Sequence, residues 1–512
     1  MEIGASANAK TVPDRTAVVF GPVRYTWQQW NARINQLAHA LRGLGLRRGD
    51  KIAVMLNNCH EFLEVAQAAT KTGLVTVPLN YRLRGREIEY IVDNSDTSAI
   101  VCGAEFVGEI ASVMDRLGGI VPGGYVVVGE RGDARFAPYE DLLAAEPTTT
   151  PEDEGAPGLN AMIYTSGTTG RPKGVYRSGG VDPQLLLGIV QGFGLRFGDE
   201  VHIVPAPLYH SAPTLGSVLT IALGGTLVIM PKFDPEEFLV LVDREKVTSC
   251  FVVPTIVKRI LALPDDVKRR YDVSSLRSLI VGAAPFPLET KRAAVDYFGD
   301  CVYEYYGSTD AGLNTILPPA EQTTRPASCG KVLDGNEIVI LDDEGRALPP
   351  GQVGNIYITN SLVRSMQYYK DPEKTKSAFR GEYMTVGDIG YLDADHYLYI
   401  VDRKTDMVIS GGVNIYPAEI EEVIYEHPAV LDVAVIGVPN EEWGEELKAV
   451  VQLKSDARAT ADDIIDFCRE RLADYKRPRS VDFVAEVPRN PSGKLLKREI
   501  RAPYWEGRER RV

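Results

Sequence analysis

Between Tyr164 and Gly174 the chain reads Tyr-Thr-Ser-Gly-Thr-Thr-Gly-Arg-Pro-Lys-Gly, and these residue types at this spacing suit the holding of an oxyanion. The glycines let the backbone turn and aim N–H groups at a charge. The hydroxyls of Thr165, Ser166, Thr168 and Thr169 add donors, and Lys173 supplies a compact positive charge. The stretch follows the apolar run Met162–Tyr164, a usual setting for a phosphate loop. It is not the phosphate loop of P-loop triphosphatases, because Pro172 stands where that pattern needs its second glycine. Read as a Gly/Ser/Thr linker, it would leave Pro172-Lys173 and the apolar run before it unexplained.

The surrounding elements indicate how such a loop is positioned. The runs Lys51–Leu56, Leu74–Leu79, Ala99–Cys102, Tyr125–Val128, Val201–Pro205, Thr226–Met230, Cys250–Val253 and Ser278–Val281 read as strands. Many are apolar throughout, as strands buried on both faces must be. Between them lie helical patterns. In Trp27–Leu44 one face carries Trp30, Ile34, Leu37, Ala38 and Leu41, and Thr26 and Gln29 are spaced as a capping box. Asp234-Pro235-Glu236-Glu237 reads as another helix start. This alternation predicts parallel sheets with crossover helices. From about Gly330 the short strands Glu337–Leu341, Asn355–Thr359 and Tyr397–Asp402, broken by Asp-Asp-Glu-Gly and Pro-Pro-Gly turns, predict a small β subdomain over about 330–402. After Asp402 helix and strand alternate again, in Pro417–Glu426, Val433–Val438, Ala449–Leu453 and Ala461–Leu472. The expected fold class is α/β. A large N-terminal domain (1–402) combines parallel-rich α/β subdomains with the small β subdomain, and a smaller α+β C-terminal domain (403–512) follows. Glu146–Gly158, rich in Pro, Thr and acids, is expected to be a surface loop.

Composition sets the outer bounds. A chain of 512 residues suits several domains at roughly 100–200 residues each. With 44% hydrophobic and 25% charged residues it is globular rather than disordered. Its 56 basic and 70 acidic residues give a net charge of −14, which argues against nonspecific binding to nucleic acid or anionic membrane as a main role. Six scattered cysteines without a Cys-x-x-Cys favour a reducing compartment and offer no cysteine-based zinc set. No signal-peptide pattern and no apolar run of about 18 residues is present, so a cytoplasmic protein without membrane insertion is expected.

Six further segments follow the loop in order: Pro207-Leu208-Tyr209-His210, Gly282-Ala283-Ala284-Pro285, Tyr305-Tyr306-Gly307-Ser308-Thr309-Asp310, Thr385-Val386-Gly387-Asp388, Asp402-Arg403 with Ser410-Gly411-Gly412 and Tyr416–Glu421, and Pro491-Ser492-Gly493-Lys494. Together with Thr165–Gly174 they resemble the adenylate-forming enzymes: acyl- and aryl-CoA synthetases, firefly luciferases and peptide-synthetase adenylation domains. The resemblance covers nearly the whole chain. It implies ATP, Mg²⁺ and coenzyme A as cofactors. It also implies that Thr165, Ser166, Gly167, Thr168, Thr169, Gly170 and Lys173 meet the ATP phosphates, and that Gly282, Ala283, Ala284, Tyr306, Gly307, Ser308 and Thr309 enclose adenine and the α-phosphate. Asp388 would hold the ribose, with Arg403 also at the nucleotide, and Thr168 and Asp310 would face the metal. Lys494, His210 and Thr309 are the implied catalytic residues, and the C-terminal domain is implied to rotate. A homodimer is left open.

Each residue also has a physical reading. Asp388 in a tight Gly-Asp turn can accept from two ribose hydroxyls, or be an ordinary turn aspartate. Tyr306 offers a flat face to adenine, or is a core aromatic. Thr309 brings a hydroxyl, Asp310 a hard oxygen suited to Mg²⁺, and His210 is either a core histidine or the edge of an acyl pocket. Lys494 lies among Lys476, Arg477, Arg479, Arg489, Lys497 and Arg498, where a solvated basic face is the other reading. One ammonium on the carboxylate–phosphate junction commonly contributes on the order of 10²–10³ in rate. Two positions depart from the family: Asp310 stands where it usually has Glu, and Thr405 where its hinge commonly carries Asp or Lys.

Within the family, Pro205–Thr214 holds no acid to pair a substrate ammonium, which disfavours amino-acid activation. The sequence closes at Val512, soon after Lys494, so no fused carrier domain is expected. Ser410, Gly411, Gly412, Trp443, Tyr475 and Arg477 are the expected CoA contacts. Tyr209, His210, Ala212, Thr214, Leu215, Val253 and Gly312, with Leu187, Gly192 and Gly194, are the expected acyl wall, suited to an uncharged aryl or aliphatic tail. The expected activity is ATP-dependent formation of acyl-AMP, then of the CoA thioester, with small-molecule acid, ATP and CoA as partners. Transfer to a separate carrier protein and a nucleotide-binding homologue without turnover stay open. A bulky replacement at Gly411 is expected to spare pyrophosphate release and block thioester formation; a defect confined to adenylation would refute its place in a CoA tunnel.

Overall fold

The structure is a computed structural model and describes residues 4–130, 132–151, 160–165, 172–177, 182–410, 413–490 and 494–506. The apolar runs form two sheets. Val75–Pro78, Lys51–Met55, Thr97–Gly103, Tyr125–Val128 and Ala137–Pro138 lie side by side in that order, all parallel. The second sheet has nine strands, in the order Lys331–Val332, Gly312–Leu317, Val302–Ser308, Ser278–Val281, Ser249–Val252, Val201–Val204, Thr226–Ile229, Thr16–Phe20 and Val23–Thr26. Its central strands are parallel, and antiparallel pairs close both edges.

Two helices fill the space between the sheets. Trp27–Gly43 starts at the Thr26/Gln29 capping box, and His60–Thr72 packs against it. One continuous core joins Trp30, Leu37, Leu41, Phe62 and Leu63 from these helices to Ile52 and Val101 of one sheet and Val18 and Leu227 of the other. Glu64, fully buried in this layer, accepts from Arg33 at 2.8 Å and from the Tyr139 hydroxyl at 2.7 Å. Asp234 caps Pro235–Glu245, accepting from the N–H groups of Glu236 and Glu237.

An antiparallel sheet of Glu337–Leu341, Gly354–Thr359, Phe379–Arg380, Tyr383–Met384, Asp388–Leu392 and Leu398–Arg403 follows. The expected β subdomain is therefore narrower than 330–402. Lys331–Val332 belongs to the nine-stranded sheet, and Met366–Tyr368 joins Lys173–Arg177 and Ile163–Thr165 in a three-stranded sheet. The C-terminal sheet begins at Val408–Ser410 and is built on the long pair Val430–Asn440 and Gly444–Leu453, with its own apolar core of Ile420, Val433, Leu447 and Ile464. This gives a mixed α/β protein with parallel sheets and a separate C-terminal domain. Part of the expected loop Glu146–Gly158 lies outside the described residues; before it, the carbonyls of Thr148 and Thr149 hydrogen-bond Asn35 and His39 of the first long helix. Among the described residues no helix is long and apolar enough to cross a membrane.

Gly330 joins the nine-stranded sheet to the small β sheet, its carbonyl accepting from Leu398 N–H. It sits at φ +112°, and a Cβ there would lie 2.1 Å from the Ile316 carbonyl carbon. Gly330→Ala is expected to cost about 2–4 kcal/mol through overpacking and left-handed backbone. Gly351→Ala, at φ +82° with nothing within 4 Å, should cost only about 1 kcal/mol. Thermal unfolding of the two variants side by side checks this.

Candidate active site

The parallel strands Ser249–Val252, Ser278–Val281 and Val302–Ser308 end on one rim of the nine-stranded sheet, where open α/β sheets bind ligands. After Ser278–Val281 the chain turns through Gly282-Ala283-Ala284-Pro285. An added Cβ on Gly282 would lie 2.3 Å from the Tyr305 ring, and Ala283 is held at φ +65°, a costly left-handed conformation for a residue with a side chain. Beside this turn Val302–Ser308 and Gly312–Leu317 form a hairpin whose tip is Thr309-Asp310-Ala311. Gly307 packs so closely on the returning strand that a Cβ would lie 2.5 Å from the Gly312 carbonyl oxygen. Gly282, Ala283, Ala284, Tyr306, Gly307, Ser308, Thr309 and Asp310 therefore share one rim.

The three-stranded sheet meets that rim. Thr165 pairs with Lys173 in the antiparallel ladder; Ser166, Gly167, Thr168, Thr169 and Gly170 lie outside the described residues. The Thr165 hydroxyl is buried and has no hydrogen-bond partner among the described residues. Lys173 Nζ donates to Asp310 Oδ1 at 2.9 Å and to the Tyr368 hydroxyl at 2.6 Å, and that hydroxyl donates to the same Asp310 oxygen at 2.6 Å. Arg177 Nη2 donates to the carbonyls of Thr309 at 2.5 Å and Asp310 at 3.0 Å. Among the described residues no group of three or more His, Cys, Asp or Glu side chains is arranged to hold a metal. Asp310 offers a single carboxylate, which suits a Mg²⁺ whose remaining ligands are phosphates and water.

A third group comes from the antiparallel sheet and the C-terminal domain. Asp388 opens the strand Asp388–Leu392 opposite Arg403 in the register. Buried, it accepts from the Tyr306 hydroxyl at 2.7 Å and pairs with Arg403 Nε at 3.1 Å. Burial and the facing Asp388 hold the Tyr306 phenol well above its ordinary range, so it stays a donor. Asp402, next to Arg403, accepts instead from Ala418 N–H at the start of the helix Pro417–Tyr425. Lys494 is half-buried, and Asn490 clasps its backbone from both sides. Burial, then the neighbouring Arg403 charge, lower its pKa to about 8, while Asp388, Asp406 and Asp310 pull the other way.

His210 directly precedes the helix Ser211–Ala222 without a capping bond from its side chain, and its ring lies 4.3 Å from that of Tyr209. Burial lowers its pKa to about 4, so it is neutral near pH 7, and its Nε2 has no partner among the described residues. The next residue, Ser211, shares a 3.1 Å hydrogen bond with the Thr309 hydroxyl, which ties this helix to the hairpin tip. Ala212 and Leu215 pack with Tyr305, Leu313 and Leu362, and a Cβ on Gly312 would lie 2.9 Å from Leu362 Cδ1. Val253 packs with Phe238, Ile256 and Val257, Thr214 spends its hydroxyl on the Leu208 carbonyl, and Leu187 is exposed. Gly192 and Gly194 lie against Ile316 and the Tyr303 hydroxyl.

Ser410 stands opposite Gly444 at the end of its strand in the C-terminal sheet, and the preceding residue Trp443 is half-exposed. Tyr475 is also half-exposed, and Arg477 is paired with Asp474. Gly411 and Gly412 lie outside the described residues. No hydrogen bond or ion pair among the described residues joins this group to Lys494. Sequence reasoning missed Tyr368 and Arg177, because an aromatic and a cation inside short strands carry no pattern of their own.

A family model described as AMP-binding enzyme matches residues 5–369, and one described as AMP-binding enzyme C-terminal domain matches 419–494. A feruloyl-CoA synthase from Amycolatopsis is 35% identical, covering 97% of both chains. The long-chain-fatty-acid–CoA ligase FadD13 of Mycobacterium tuberculosis is 33% identical, covering 94% of this chain and 93% of its own. The ATP-bound structure of MatB from Rhodopseudomonas palustris superposes with a TM-score of 0.86 at 30% identity, over 98% of this chain and 99% of that one.

The depressed Lys494 amine is expected to react with a small acylating reagent at half its limiting rate near pH 8, ahead of ordinary lysines. Asp388→Asn removes a charge that favours the ammonium, so the midpoint should move lower. Competitive labelling read by mass spectrometry checks both; a midpoint above pH 10 would contradict the burial of this group.

Proposed function

The chain belongs to the AMP-binding enzyme family, and from that premise we propose that it is an ATP-dependent, AMP-forming carboxylate–CoA ligase. The observation that carries this reading is the meeting of Lys173 with Asp310, Tyr306 and Arg403 with Asp388, and Lys494 at one end of the nine-stranded sheet. ATP lies with its phosphates against Thr165–Gly174 and Lys173, its adenine near Gly282–Ala284 and Tyr306, and its ribose on Asp388. Thr309 donates to the α-phosphate. The substrate carboxylate attacks the α-phosphorus and pyrophosphate leaves, while the Lys494 ammonium stabilises charge at that junction. Asp310 and Thr168 would hold Mg²⁺, which when bound neutralises phosphate charge.

In the second step the CoA thiol attacks the acyl-AMP carbonyl, giving up its proton, and AMP leaves with the bonding electrons. Residues 403–512 rotate between the steps, withdrawing Lys494 and bringing Ser410, Gly411 and Gly412 along the CoA path. Thr405 stands at the pivot, and Trp443, Tyr475 and Arg477 stand near the CoA nucleotide. The neutral His210 ring and Tyr209 border the carboxylate, and Ala212, Leu215 and Gly312 border an uncharged acyl tail. The similarity to both a feruloyl-CoA synthase and a long-chain-fatty-acid–CoA ligase supports an aryl or aliphatic acid of this kind. The setting is cytoplasmic.

Pyrophosphate release should appear with Mg·ATP and one class among benzoates, cinnamates and fatty acids, and CoA should be consumed with it. Adenylation without CoA consumption would instead favour a carrier-protein acceptor. Lys494→Ala should cut pyrophosphate release by at least about 10² while still converting supplied acyl-AMP to thioester. Loss of both half-reactions would contradict the role of Lys494.

A further inference from the structure

The strand Lys173–Arg177 grips the hairpin tip at two points. Its partner strand Met366–Tyr368 lies antiparallel, with Tyr368 opposite Val175 and Met366 opposite Arg177. Lys173, Val175 and Arg177 alternate onto one face, and Tyr368 shares that face across the ladder. At one end, Arg177 reaches the main-chain carbonyls of both Thr309 and Asp310. At the other, Lys173 and the Tyr368 hydroxyl converge on a single oxygen of the Asp310 carboxylate. Tyr368 is almost fully buried, and Lys173 Nζ lies 3.9 Å from its ring centroid.

We propose that Arg177 and Tyr368 are positioning residues for the nucleotide site, Arg177 fixing the Thr309–Asp310 main chain and Tyr368 fixing the Asp310 carboxylate beside Lys173. The proposal rests on the reading of Lys173 as a phosphate contact and of Asp310 as a metal contact. Without nucleotide the ammonium and the carboxylate satisfy each other. When a phosphate takes Lys173, the carboxylate loses that partner, and the phenol is the donor that keeps it in place. Arg177 acts on the backbone beneath. A guanidinium taken out of water to meet two neutral carbonyls gives up hydration that the nearby Asp310 charge repays only in part, and its Nε has no partner among the described residues. That cost is offset where a fixed loop presents the Thr309 hydroxyl and the Asp310 carboxylate in one geometry.

The test is equilibrium ATP binding by calorimetry, with and without Mg²⁺, on the full chain and its Tyr368→Phe, Arg177→Lys and Arg177→Met variants. Tyr368→Phe keeps the ring and removes both hydrogen bonds. It should reduce the gain in ATP affinity that Mg²⁺ confers by about tenfold, leaving Mg²⁺-free affinity within about threefold and the melting midpoint unchanged. Arg177→Met should lower the rate of pyrophosphate release by about 10–100-fold with little change in the KM for the acid, and Arg177→Lys should recover part of that loss. An unchanged Mg²⁺ gain in Tyr368→Phe, or equal losses with and without Mg²⁺, would overturn the proposal while the ligase reading stands. Failure of the unaltered chain to bind ATP at all would overturn both.

Discussion

A site built to receive a polyanion must gather cations before the polyanion arrives, and those cations must be kept from repelling one another. Lys173, Arg403 and Lys494 face this constraint. Lys173 is held by Asp310 and Arg403 by Asp388, each a carboxylate within about an ordinary hydrogen-bond length. Lys494 has no comparable ion pair among the described residues, and burial and the Arg403 charge, against the pull of Asp388, Asp406 and Asp310, lower its pKa. The arrangement leaves two cations paired and one poised.

Delivering those groups takes three sheets and the C-terminal domain. The nine-stranded sheet supplies the Gly282–Pro285 turn and the hairpin tip, and the three-stranded sheet supplies Lys173, Arg177 and Tyr368. The antiparallel sheet supplies Asp388 and Arg403, and the C-terminal domain supplies Lys494. Close packing at glycines makes the meeting tight: Gly282 lies on the Tyr305 ring and Gly307 on the strand returning from the hairpin tip. A side chain at either point would collide with those neighbours.

Much of this was legible in the sequence because local chemistry and tertiary need agree there. The Thr26/Gln29 box and the Asp234 cap start helices as their spacing predicts, and apolar runs such as Lys51–Met55 and Ser278–Val281 are doubly buried strands. What was not legible is which sheet a short strand joins. Met366–Tyr368 and Lys331–Val332 lie next to the small β sheet in sequence, yet pair with other sheets, because partner choice depends on contacts distant along the chain. The same blindness hid Arg177, whose hydrogen bonds reach more than a hundred residues ahead. The motif residues on the rim were legible as a set, since turns and hairpin tips carry their chemistry in short contiguous stretches.

The strand Thr16–Phe20 sits inside the nine-stranded sheet, between Val23–Thr26 and Thr226–Ile229, and the Thr16 carbonyl accepts from the Thr226 hydroxyl across 210 positions of chain. At ribosomal speeds of roughly 5–20 residues per second, that partner emerges about 10–40 seconds after the strand itself. For that interval Val18 and Val19 have no parallel neighbour, and only the short antiparallel strand Val23–Thr26 pairs with them. The growing chain therefore carries an unfinished sheet edge through some two-fifths of its own synthesis, and the first strand made waits on a partner encoded 210 positions later.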